Sequence, residues 1–221
     1  MSDSPTAPAS APREFVVRRR PFKSSYTIWR TSGTPGGYPI PVHYVKIGTR
    51  IGRAPELALL DGPYDDAATV AVCHMPAFSL DYKIGFGSPE APNDMIWEDM
   101  VARGAGTEYR MELTLFRSDC AMTTAGGGTG PGEGLSRKRG FVWRRIERGP
   151  DKDKDKDKDG KAWGPRGWRM ADGESGLVAA FVEHAAKGVC GRLTLEEGRA
   201  SDLDIVAMIT LLALYERRRR S

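Results

Sequence analysis

The chain is predicted to be mainly β, with about twelve antiparallel strands in a closed or nearly closed barrel that encloses a C-terminal hydrophobic helix. Short apolar runs alternate with turn signals over residues 13–195, without a strand–helix–strand repeat. The last apolar run, Leu203 to Tyr215, is long enough for a helix and has no polar face. A barrel of about twelve strands has an interior too wide for its own side chains, and such a helix would fill it.

The composition is that of an ordinary globular protein. Of the 221 residues, 40% are hydrophobic and 28% are charged, which is enough for one large domain. The 26 glycines and 15 prolines indicate many turns. The net charge of +4 permits an acidic partner but does not require one.

One domain, residues 13–221, is expected. Residues 1–12 lack aromatic and branched apolar side chains, so a disordered tail is predicted there. Two flexible insertions are predicted within the domain, near residues 122–137 and 149–161. The first contains the glycine run Gly126 to Gly134, and the second alternates Asp and Lys from Asp151 to Asp159.

Twelve segments carry strand patterns. The alternation is clearest from Glu108 to Phe116, where Tyr109 and Met111 fall on one face and Arg110 on the other. The seventh segment also fits a single helical turn. The segments are Glu14 to Val17, Tyr26 to Trp29, Val42 to Gly48, Glu56 to Leu60, Thr69 to His74, Phe78 to Phe86, Met95 to Met100, Glu108 to Phe116, Phe141 to Ile146, Trp168 to Met170, Leu177 to Glu183 and Val189 to Leu195.

The C-terminal helix is expected to be buried on every side, because it is apolar around its circumference. Ser201 suits the N-cap, and Asp204 stands where a capping-box acid would sit. The apolar run has about thirteen residues and a length of about 20 Å. A helix needs roughly 17–25 residues to cross a bilayer, so this run is too short. It stops at Glu216, before four arginines that favour a helix C-terminus. A short membrane tail anchor is the alternative.

Several C-terminal motifs together resemble a known superfamily. An aromatic-x-Trp-basic strand, Phe141 to Arg144, precedes the Trp-basic strand Trp168 to Met170 and the Gly-x-Leu strand Gly191 to Leu193. This order resembles the tubby C-terminal-like superfamily, which includes LURP-one-related and scramblase-like domains, and is closest to uncharacterised, mostly fungal members. The resemblance covers residue 141 to the end; before that it depends on strand pattern. It implies a twelve-stranded barrel around a central helix and brings no catalytic motif.

No catalytic, cofactor or metal site is predicted. The glycine run lacks the Gly-Lys-Ser/Thr of a phosphate loop, and no serine lies in a G-x-S-x-G elbow. The three histidines and three cysteines do not have metal-ligand spacing. The cysteines are also too few and scattered for a disulfide framework, so a cytoplasmic location is expected.

Basic clusters are the feature that points to a function. Each Lys or Arg near an anionic leaflet contributes about 1 kcal/mol, so we expect a non-catalytic binding or scaffold module on anionic, phosphoinositide-containing membranes. Solvated charge, with the last cluster also stabilising the helix C-terminus, is the plainer interpretation. The candidate contacts are Arg18, Arg19, Arg20 and Lys23; Arg137, Lys138 and Arg139, which are grouped with Arg144 and Arg145; and Arg217, Arg218, Arg219 and Arg220.

Other functions stay open at this point. One alternative is an enzyme or carrier for a hydrophobic or lipid ligand held in the barrel, and another is a soluble protein-interaction domain. A nucleic-acid partner is not expected, because 29 acidic residues are mixed among the 33 basic ones. A monomer is expected.

Overall fold

The structure is a computed structural model that describes residues 12–20, 23–33, 36–48, 55–76, 78–115, 137–146, 166–173, 176–184, 186, 188–196 and 201–220. Its twelve antiparallel strands pair in sequence order, and the first pairs with the last, which closes the barrel. The predicted fold class is thus confirmed. The elements are β1 (Arg13–Arg19), β2 (Ser25–Arg30), β3 (Ile40–Ile47), β4 (Leu57–Leu60), β5 (Thr69–His74), β6 (Tyr82–Phe86), β7 (Ile96–Arg103), β8 (Glu108–Leu115), β9 (Arg137–Ile146), β10 (Gly167–Asp172), β11 (Gly176–Glu183), β12 (Val189–Leu195) and α1 (Ser201–Arg220).

The helix α1 lies inside the barrel. Every residue from Val206 to Leu214 is buried. The indole Nε1 of Trp143 on β9 donates a hydrogen bond to Thr210 Oγ1 at 2.9 Å, and the ring of Tyr215 packs edge-on against rings of β2 and β11. Because these strands lie in different parts of the wall, α1 fills the lumen. No helix in the described part of the chain is long and apolar enough to cross a membrane.

The alternation predicted for β8 is confirmed. Tyr109, Met111 and Leu113 are buried, whereas Arg110 and Glu112 are exposed. This inside–outside pattern is what a wall packed against an apolar helix requires. The prediction failed at strand ends, where cross-strand pairing decides the boundary.

The sixth strand begins later than predicted. The sequence suggested Phe78 to Phe86, but β6 spans Tyr82–Phe86. The residues before it form a turn, in which the Ser79 amide donates to the carbonyl of Pro76 at 3.4 Å. The ambiguous seventh segment is a strand, Ile96–Arg103.

The ninth strand begins earlier than predicted, at Arg137 instead of Phe141. Arg137 and Lys138 pair with Leu115 and Thr114 of β8, so the ladder extends into a segment that has no apolar pattern of its own. The predicted insertion near residues 122–137 therefore includes the first residue of β9. The rest of that insertion, all of 149–161 and nearly all of the predicted tail lie outside the described residues.

Asp204 pairs with the barrel wall. Its carboxylate accepts two hydrogen bonds from the Arg13 guanidinium of β1, at 2.5 and 2.8 Å. Burial raises the pKa of Asp204, and the charges of Arg13, His43 and Arg30 offset only part of that effect. The side chain of Ser201 lies outside the described residues, so its N-cap role stays a prediction. The pair ties the start of α1 to β1.

Gly191 of the Gly-x-Leu motif allows a close approach between β11 and β12. A Cβ at this position would lie 2.3 Å from Cζ of Phe181 and 2.4 Å from the carbonyl oxygen of Val182. The Phe181 ring can therefore cover Gly191 and reach Tyr215 of α1, at 6.0 Å between ring centroids.

Shortening either predicted insertion should leave the stability nearly unchanged. Leu115 pairs with Arg137, and Ile146 pairs with Gly167, so the chain ends are adjacent and a short turn can join them. Long surface loops add closure entropy only slowly. We expect a four-residue turn in place of residues 122–136 or 149–161 to shift Tm by a few degrees in thermal melts. A drop above about 10 °C, or several kcal/mol, would contradict this.

Candidate functional site

The strand order places alternate loops at opposite ends of the barrel. The last turn of α1 shares one end with the β1–β2 and β5–β6 loops. There the Arg217 guanidinium donates to the carbonyl oxygens of Ser79, at 2.6 Å, and Pro76, at 3.1 Å. We call this the basic end. The pair between Arg13 and Asp204 marks the opposite end.

Two of the three predicted basic clusters meet at the basic end. Arg18, Arg19, Arg20 and Lys23 occupy the end of β1 and the turn into β2. The second cluster, Arg217 to Arg220, forms the last turn of α1. The structure thus brings together two groups that are about 200 residues apart in the chain.

The third predicted cluster is divided between the two ends of β9: Arg137 to Arg139 lie in its first residues, at the opposite end, whereas Arg144 and Arg145 lie in its last residues. Arg139 pairs at 2.5 Å with Asp172, whose side chain is fully buried. Lys138 is exposed, and the side chain of Arg137 is outside the described residues. At least one member of this cluster therefore serves the packing of the barrel.

The arginines of α1 are bound within the protein. Arg218 forms a salt bridge with Glu183 of β11, and Arg219 and Arg220 approach Glu216 at 2.5 and 2.7 Å. Arg217 also lies over the ring of Tyr82, 5.0 Å from its centroid. These contacts fasten the C-terminus of α1 to the surrounding wall.

Glu216 is a fully buried carboxylate at the centre of this arrangement. It accepts hydrogen bonds from the Tyr26 hydroxyl of β2 and from Arg219 and Arg220. Burial by itself raises the pKa of Glu216, but the hydrogen bonds from these three side chains outweigh it and lower the pKa to about 2. Sequence reasoning missed this network. The signal was an acid three and four positions before two arginines.

The cations near the β1–β2 turn are exposed instead. Among the described residues, no salt bridge involves Arg18, Arg19, Arg20 or Lys23. The guanidinium of Arg18 lies 5.1 Å from the centroid of the Trp29 ring, and that of Arg20 lies 5.9 Å from the Tyr44 ring. Such contacts orient the side chains without neutralising their charge.

Lys46 of β3 is a further exposed cation at this end, and sequence reasoning missed it. It faces Ser25 across the β2–β3 ladder, next to the turn that carries Lys23. The feature of the sequence that could have revealed Lys46 is its polar position in a strand whose apolar and polar residues alternate.

The described acidic side chains at the basic end are already engaged by other groups. Glu183 and Glu216 bind arginines of α1, and Glu108 binds Arg110 and Arg144 at 2.7 and 2.9 Å. Two further acids each accept a backbone N–H: Glu56 from Met75 at 3.0 Å, and Asp81 from Ala102 at 2.8 Å. The charge of the β1–β2 turn is therefore left without a carboxylate partner among the described residues.

The described residues offer little for catalysis. No group of three His, Cys, Asp or Glu in this part of the chain could hold a metal ion. Cys73 and Cys190 are buried free thiols, and burial raises the pKa of both, which disfavours the reactive thiolate. His74 lies on the other face of β5 and stacks on Trp97 at 5.6 Å.

The space inside the described barrel is occupied by α1, which weighs against a ligand held in the lumen. A groove of about 590 Å³ does cross the outer surface of β7, β8 and β9. Its lining mixes acids with arginines, among them Glu98, Asp99, Glu112, Arg103 and Arg110. This groove has no single sign of charge.

Comparison with models of protein families, with curated proteins and with solved structures gives no match to the chain.

Proposed function

We propose that this protein is a non-catalytic binding module of the tubby C-terminal-like type, which attaches peripherally to anionic, phosphoinositide-containing membranes through its basic end. The observation that carries the proposal is the group of exposed cations around the β1–β2 turn, Arg18, Arg19, Arg20, Lys23 and Lys46. The twelve-stranded barrel with its central helix supports the superfamily assignment.

Charge and geometry both favour an anionic surface as the target. The cations come from β1, β3 and the β1–β2 turn, so they share one end of a barrel and can approach a flat leaflet together. Each contributes about 1 kcal/mol near such a leaflet, and the attraction weakens as salt is added. The arginines of α1 support this end mainly by holding α1 in place.

Reversing two cations at the basic end should weaken vesicle binding strongly. We expect Arg20→Glu with Lys23→Glu to lower the affinity for vesicles containing phosphatidylserine and phosphatidylinositol bisphosphate by more than about thirtyfold. The variant loses the attraction of two cations, each worth about 1 kcal/mol near an anionic leaflet. Sedimentation with vesicles at low salt measures this affinity. Both side chains are exposed, so the fold should be preserved.

The matched control is Lys138→Glu with Arg30→Glu. Lys138 and Arg30 are also exposed, make no salt bridge among the described residues, and lie at the opposite end of the barrel, in the first residues of β9 and the last residue of β2. This variant carries the same change in net charge and should retain most of the binding. Equal losses in the two variants, or wild-type protein that prefers anionic vesicles no more than neutral ones, would refute the proposal.

A further inference from the structure

We infer that the β5–β6 loop is an apolar insertion element, which places Phe78 and Leu80 into the interfacial layer of the membrane that the basic end binds. The inference rests on the proposed function and adds a second, hydrophobic contact to it. Phe78 is fully exposed and Leu80 is 45% exposed. An exposed apolar pair at the same end of a protein as a group of exposed cations is the combination that holds peripheral proteins at anionic leaflets.

The loop is fixed at its base, although its apolar side chains are exposed. Arg217 binds the carbonyl oxygens of Pro76 and Ser79 on either side of Phe78. The Asp81 amide donates to Ser79 Oγ at 3.0 Å, and the Asp81 carboxylate accepts the Ala102 N–H at 2.8 Å. Phe78 is therefore presented outward by a braced backbone, and little ordering of the loop would be needed on binding.

The position of the loop identifies the occupant as a lipid surface. The loop lies at the end of the barrel where exposed cations have no carboxylate partner among the described residues, so an anionic leaflet can bind the cations and accept the apolar side chains together. Exposed aromatic side chains also occur at the opposite end, at Tyr38 and Tyr64. They lie in the β2–β3 and β4–β5 loops, away from the β1–β2 cations, and so provide matched controls.

Insertion can be detected by placing a reporter at each end of the barrel. We expect Phe78→Trp fluorescence to shift to the blue and to be quenched by vesicles of phosphatidylserine and phosphatidylinositol bisphosphate with brominated acyl chains. Tyr64→Trp should show neither change beyond the background of the five native tryptophans. Each substitution replaces an exposed aromatic side chain with another, so neither should disturb folding.

Affinity provides the second measurement. Phe78→Ser with Leu80→Ser should lower vesicle affinity at least about tenfold and remove the binding that survives high salt. Tyr38→Ser with Tyr64→Ser should have little effect.

The possible outcomes separate the two proposals. If wild-type protein binds anionic vesicles but the Trp at position 78 is not quenched and the double serine variant binds normally, insertion is wrong and electrostatic attachment stands. If the serine variant loses binding and the charge-reversed variant does not, insertion stands and the electrostatic proposal is wrong. If wild-type protein binds no vesicles, both are wrong.

Discussion

Replacing Leu212 by aspartate is expected to abolish folding of the whole barrel. Leu212 is 1% exposed in the middle of α1, and an unpaired carboxylate at such a position has no water and no partner to stabilise its charge. The milder Leu212→Ala should lower the free energy of unfolding by about 2–5 kcal/mol. That is a large part of the roughly 5–15 kcal/mol that stabilises a typical domain.

Soluble yield, far-UV circular dichroism and urea unfolding measure these effects. Asp202→Ala is the control, because Asp202 is exposed in the first turn of the same helix; it should change the free energy of unfolding by no more than about 1 kcal/mol. Removing residues 202–221 should leave insoluble protein. A soluble truncated chain that melts cooperatively would refute the role of α1 as the core of the barrel.

Acid is expected to destabilise the barrel through Glu216. Its pKa in the folded protein, about 2, lies below the ordinary value for a glutamate. The group therefore stabilises the fold at pH above the ordinary value, and this contribution disappears as the pH falls toward 2. The difference between the two pKa values of Glu216 corresponds to a contribution of about 3 kcal/mol to the free energy of unfolding at neutral pH.

Urea unfolding of wild type and Glu216→Gln between pH 6 and pH 2 tests this expectation. The variant should be less stable than wild type at pH 6, because Arg219 and Arg220 lose their charged partner. The difference in the free energy of unfolding between the two proteins should become smaller as the pH falls. Glu112→Gln is the control, since Glu112 is exposed and makes no salt bridge among the described residues. Curves for wild type and Glu216→Gln that stay parallel over this range would show that Glu216 is not the acid-sensitive group.

Local pattern was sufficient to predict most of the barrel. The alternation of Tyr109, Met111 and Leu113 with polar neighbours identifies a wall that is buried on one side. The start of β9 could not be found in this way, since Arg137 and Lys138 become strand residues only by pairing with β8. The apolar pattern predicts a strand that begins at Phe78, but this residue lies in a turn that Arg217 holds from the far end of the chain.

The residues of the candidate site could be predicted from the sequence, but their positions relative to one another could not. The sequence contains three basic clusters, and nothing local shows that Arg18 to Arg20 and Arg217 to Arg220 meet at one end of the barrel whereas Arg137 to Arg139 lie at the other. Nor does the sequence indicate that Phe78 lies at the same end as the β1–β2 turn. Both facts depend on how the strands pair around the barrel.

By itself, the sequence determined that the protein has about twelve one-sided strands and one helix without a polar face, because side-chain periodicity is local and reports burial directly. Only the tertiary structure decided which cations form salt bridges within the described part of the chain and which acid is buried. Strand closure places the end of α1 between β2 and β11, where Glu216 meets Tyr26, and Arg218 meets Glu183. Electrostatic pairing depends on distance in space, which the order of residues along a chain does not specify.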